Sequence, residues 1–179
     1  MRAGLKTKDI TAISFSTALI CLCSWISVPA PLPFTLQTLG IFLAVGLLGG
    51  RRGTISVVLY ILLGCIGLPV FSGFSGGIGV VLGPTGGYII GFIASALVIW
   101  IALGLLGEKL QIRILAMFLG LAVCYIFGSV WYMAVYLKES SKISFLAVLS
   151  KCVLPFIIPD GLKIFAAVFI IEKFKKYIK

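Results

Sequence analysis

The chain has 179 residues, 61% hydrophobic and only 11% charged, with a formal net charge of +10. Soluble domains carry about 25% charged residues, so this composition excludes an ordinary soluble fold and predicts a single integral membrane domain over 1–179. The absence of histidine removes a zinc site of the usual kind, and the basic residues sit at segment ends, where they suit anionic lipid headgroups and not nucleic acid.

In chain order, the first expected span is 10–28. Its apolar run is longer than the roughly 7–15 residues of a signal-peptide core, so it reads as a membrane helix that is retained. Pro29, Pro31 and Pro33 then forbid continued helix and predict a stiff, extended turn. The second and third spans, 36–50 and 54–67, are short for a bilayer that takes about 20 residues. Arg51 and Arg52 are expected to close the second.

The stretch 68–85 is apolar yet full of glycine and proline. Irregular backbone at membrane depth is tolerated only against protein or a cavity, so this loop is expected to be a lid or pocket wall. The fourth span, 86–106, carries Gly87, Gly91 and Ser95 at intervals of four. The fifth, 114–137, carries Gly120, Cys124 and Gly128 in the same pattern. Each is a smooth stripe on which another helix can pack closely. The run Lys138–Lys142 and a partly interfacial stretch from Ile143 follow, and the sixth span is 153–171. The five cysteines are scattered through apolar segments and read as small packing residues. With the N-terminus inside, most basic residues of the interspan segments gather on the inner side, while Lys138 and Lys142 fall outside. That count predicts both termini in the cytoplasm and the three irregular segments on the outer face.

The sixth span contains the one acidic residue that no positional argument moves to a membrane edge. In Pro155-Phe-Ile-Ile-Pro-Asp-Gly-Leu-Lys163, Asp160 and Lys163 are three apart and share a helical face. A charge in lipid costs a few kcal/mol or more, so such residues face a cavity and mark function. Pro155 and Pro159 are expected to interrupt the helix, with Asp160 capping its restart. Thr35, Gln37, Thr38, Thr85 and Tyr88 are neutral hydrogen-bonders expected at the same level. Together they suit a small polar ring with a less polar body. Gly86 and Gly87 leave Tyr88 room to approach a ligand. No Walker A sequence, serine nucleophile with a base, or carboxylate pair is present, so an enzyme is not expected, nor any catalytic residue, metal or cofactor. A binding subunit powered by partners and a self-sufficient proton-coupled secondary carrier both stay open at this point.

Three motifs carry a resemblance: Gly67-Leu-Pro-Val-Phe71, Gly83-Pro-Thr-Gly-Gly-Tyr-Ile-Ile-Gly-Phe92 and Pro155-Phe-Ile-Ile-Pro-Asp-Gly-Leu-Lys-Ile164. They resemble the BioY family, the biotin-binding S components of energy-coupling factor (ECF) vitamin transporters, over nearly the whole chain. The resemblance implies an all-α, six-helix membrane bundle whose outward-facing pocket is covered by an extracellular loop. It implies biotin as ligand, and as partners the lipid bilayer, a transmembrane coupling subunit and two ATPases. It also implies that the S component topples in the membrane to deliver its ligand. Asp160 is then expected to accept from the ureido N–H groups, and Lys163 to neutralise Asp160 and reach ligand oxygen. Gln37, Thr35 and Thr85 complete the polar shell, with Tyr88, Gly83 and Gly87 as further substrate-binding positions. Family members meet the coupling subunit through Ala-x-x-x-Ala on the first helix. Here the nearest matches are Ala12-x-x-x-Ser16 and Ser14-x-x-x-Ala18.

Overall fold

A computed structural model describes residues 6–28, 33–136, 148, 150 and 152–178, and these are mostly helical. The helices are α1 (Thr7–Trp25), α2 (Gln37–Leu48), α3 (Gly50–Cys65), α4 (Ile78–Leu82), α5 (Gly86–Leu106), α6 (Leu110–Tyr136) and α7 (Leu154–Ile178). Two-residue strands β1 (Ser27–Val28) and β2 (Phe34–Thr35) pair antiparallel between α1 and α2. Pro29 and Pro31 lie outside the described residues, as do the Lys138–Lys142 run and the start of the stretch after it.

Among the described residues, three helices are long and apolar enough to cross a membrane: Gly86–Leu106, Leu110–Val135 and Leu154–Tyr177. Helices α2 and α3 have 12 and 16 residues, about 18 and 24 Å of rise, against roughly 30 Å of hydrocarbon. Gly49, at φ +80°, turns the chain straight from one into the other. Arg51 and Arg52, expected to close the second span, lie instead in the first turn of α3, where Arg52 pairs with Asp9 of α1 at 2.9 Å.

The two small-residue stripes meet each other. Gly91 lies against Cys124, Gly120 against Ser95 and Ile99, and Gly128 beneath the Tyr88 ring. This is the most extensive helix pairing among the described residues, α5 on α6, and small residues favour it because they let backbones approach. The apolar core runs continuously from Ile20 through Val45, Tyr60 and Ile99 to Ile164 and Ile171.

The Gly/Pro-rich stretch is more ordered than its composition predicts. It holds a 3-10 turn at Ser72–Phe74, a bridge between Phe71 and Ser75, and the five-residue helix α4. Val70, Phe71 and Val81 are buried, whereas Phe74 and Leu82 are exposed. Phe71 is seated where Gly64 leaves space: a methyl group on Gly64 would come within 2.0 Å of its ring. Trp25 holds the root of the stretch, donating to the Pro69 carbonyl at 2.8 Å and stacking on Phe74.

Helix α7 runs unbroken through Pro159. Pro155 falls in its first turn, where a missing N–H costs nothing, and the donor that Pro159 lacks would have served only the Pro155 carbonyl. Asp160 therefore caps no restarted helix. It projects sideways from a continuous one.

Candidate functional site

One end of the bundle gathers β2, the first turns of α2 and α7, the Gly/Pro-rich stretch and the middle of α6. Between them lies a cavity of about 190 Å³. Its polar lining includes Thr35, Gln37, Thr38, Thr85, Tyr88, Tyr125, Asp160 and Lys163, and its apolar wall includes Phe71, Val80, Ile89, Phe92 and Phe156. The expected ring of hydrogen-bonders thus converges on the acid–amine pair. Gly83 and Gly87 are not part of the lining. The Gly83 carbonyl accepts from the Trp131 indole at 3.0 Å, and a methyl on Gly87 would meet Trp131 Cβ at 2.2 Å, so both glycines serve packing against α6.

Asp160 and Lys163 are both buried, at 3% and 7% exposure. Lys163 Nζ donates to Asp160 Oδ1 and to the Thr35 carbonyl, each at 2.6 Å. It also lies 4.1 Å from the centre of the Phe34 ring, a cation–π contact that further compensates the buried ammonium. Phe34 in turn stacks on Phe156. The short strand β2 therefore exists at the site for a reason: it delivers one carbonyl and one ring face to Lys163.

Asp160 Oδ1 accepts a second bond, from Thr38 Oγ at 3.0 Å, and Oδ2 accepts from the Tyr125 hydroxyl. A carboxylate offers about four acceptor positions. Three are occupied by described residues, so one remains toward the cavity. An ammonium has three protons. Two are directed at oxygen, leaving one. A site of this kind suits a small neutral head with N–H donors and an oxygen acceptor, on a mainly apolar body.

Two residues escaped the sequence reading. Tyr125 is a half-buried tyrosine in mid-helix, away from the interfacial belts where aromatic hydroxyls ordinarily lie, and that position was its only signal. Phe34 had none, since its role depends on β2 pairing with β1. Tyr88 holds Ser129 Oγ at 3.4 Å, and its ring is seated over Gly128 on α6. It reaches the cavity from the α5–α6 seam, not by way of Gly86 and Gly87.

At the other end of the bundle, Arg113 of α6 is 1% exposed. It pairs with Glu172 of α7 at 2.8 Å and donates to the Glu108 carbonyl at 3.2 Å. Lys175 pairs with the Glu108 side chain at 2.5 Å. On α1, Ser14 and Ala18 are exposed, Ala12 is half-buried and Ser16 is buried.

Comparison with known proteins gives consistent matches. The model of the BioY family matches residues 1–179. A biotin transporter BioY from Thermotoga maritima is 42% identical over 166 residues, covering 89% of this chain and 91% of its own. One from Lactococcus lactis is 35% identical over 184 residues, covering 98% and 95%. Among solved structures, the S-component for biotin from an ECF-type ABC transporter superposes with a TM-score of 0.85 at 32% identity, covering 98% of this chain and 95% of that one.

Proposed function

This chain belongs to the BioY family, and on that premise we propose that it is the biotin-binding S component of an ECF-type transporter. The observation that carries the reading is the buried Asp160–Lys163 pair, which opens on a small cavity with hydrogen-bonding capacity to spare. Such components are not catalytic, and their cargo is a ligand rather than a cofactor.

Biotin's ureido ring offers two N–H donors and one carbonyl, and its fused ring and valerate chain are largely apolar. The one acceptor position left on Asp160 takes one ureido N–H. Lys163 balances the carboxylate and gives its remaining N–H to a ligand oxygen. Thr35, Gln37 and Thr85 extend the polar shell, Tyr88 and Phe71 cover the ring, and the stretch 68–85 acts as the lid.

The membrane arrangement is six spans, with α2 and α3 as short members shielded by their neighbours. Arg52–Asp9, Arg113–Glu172 and Lys175–Glu108 gather at the end away from the cavity. That clustering supports cytoplasmic termini and a cavity facing outward in the cell membrane. Energy then comes from a transmembrane coupling subunit and two ATPases, and delivery occurs by toppling. Of the two small-residue patterns on α1, Ser14-x-x-x-Ala18 is the better contact surface for the coupling subunit, because Ser16 of the other is buried.

Isothermal titration of biotin into the detergent-purified protein tests binding. A single saturable site, competed by desthiobiotin, is expected, and no heat of binding overturns the reading. Biotin uptake into vesicles should require the ATPase partners. Uptake without them, abolished by a proton uncoupler, would replace this account with a secondary carrier.

A further inference from the structure

Tyr60 of α3 is completely buried and is absent from the cavity wall, yet it touches two elements that form that wall. Its hydroxyl accepts from the Gln37 side-chain amide. Its ring packs edge-on against Phe71, with centroids 5.5 Å apart.

The orientation of the Gln37 amide follows from its two ends. Its nitrogen is directed at the Tyr60 oxygen. Its carbonyl oxygen lies on the opposite side, where it accepts from Thr35 Oγ at 3.3 Å. Thr35 Oγ itself accepts from the Gln37 backbone N–H at 3.2 Å, so its one proton is free for that carbonyl oxygen. Thr35 and Gln37 both line the cavity. An amide that could otherwise turn either way is held at both ends.

We propose that Tyr60 is a positioning residue for ligand specificity, holding the Gln37 carbonyl oxygen as the site's second acceptor beside Asp160. The proposal rests on the biotin reading, and it answers a difficulty within it. Asp160 has one acceptor position left, whereas a cyclic urea carries two N–H groups. Gln37 supplies the other acceptor, and Tyr60 and Thr35 keep it facing the right way.

A double-mutant cycle on biotin affinity tests this in purified protein. Tyr60→Phe keeps the ring against Phe71 and removes only the hydroxyl. It should weaken biotin binding about tenfold, and Gln37→Leu should weaken it by at least as much. In the Gln37→Leu background, Tyr60→Phe should then change affinity by less than about twofold, because its effect passes through the amide. Fully additive losses would mean that the Tyr60 hydroxyl acts independently of Gln37, and unchanged affinity in Tyr60→Phe would remove its role. Either result overturns this inference while leaving the biotin assignment intact. Failure of the unmodified protein to bind biotin overturns both.

Discussion

Helices α6 and α7 carry two buried charge sites, one toward each end, separated by roughly 18 Å of α7 between Asp160 and Glu172. In the first, the side chains of both partners are buried, Lys163 at 7% and Asp160 at 4% exposure, and a cavity adjoins them. In the second only the cation is buried. Arg113 is at 1%, while Glu172 and Glu108 stay about half exposed, and none of the three lines the cavity. The second site is a clasp, in which an arginine inside the bundle is neutralised from the rim. We propose the first as the binding site, because its groups retain hydrogen-bonding capacity and have a space to direct it into. A buried charge in an apolar chain is therefore only half of the signal for function.

The largest expected effect separates the two sites directly. Lys163→Met leaves the Asp160 carboxylate buried without its counter-ion, a change that typically costs about 3–5 kcal/mol. It should abolish measurable biotin binding in a titration. Arg113→Met should lower the thermal midpoint of the purified protein and leave biotin affinity within about twofold. If Arg113→Met weakened binding as much as Lys163→Met, the contrast between clasp and site would fail.

A matched glycine pair sharpens the comparison at about 1–3 kcal/mol each, the usual cost of overpacking. A methyl on Gly64 would overlap the Phe71 ring at 2.0 Å, and one on Gly50 would overlap Trp100 at 1.9 Å, at the other end. Gly64→Ala should displace Phe71 and weaken biotin binding, as read by titration. Gly50→Ala should lower the thermal midpoint alone. The smallest effects belong to the neutral donors on Asp160. Tyr125→Phe and Thr38→Val each remove one hydrogen bond, about 1 kcal/mol or less. Affinity losses of roughly three- to sixfold are expected from competition binding.

What the sequence made legible follows from what is rare in an apolar chain. Asp160 and Lys163 stood out because charge in a span has few bland explanations, and the stripes at Gly87–Ser95 and Gly120–Gly128 did identify two faces that meet. The rest depended on pairings that no single stretch reveals. β2 matters only because it places Phe34 and the Thr35 carbonyl on Lys163. Tyr60 matters only through Gln37, which lies on another helix. Arg113 read as a segment-end cation, since its burial depends on α7 covering it. Gly83 and Gly87 were drawn toward the ligand by their motif, whereas Trp131 accounts for the space they leave.

Biotin titration into Asp160→Asn probes the buried carboxylate itself. The substitution keeps size and shape, removes the charge that pairs with Lys163, and turns one acceptor into a donor. The account predicts affinity at least about 100-fold weaker, with the protein still folded by its thermal profile. Affinity equal to that of the unmodified protein would contradict it.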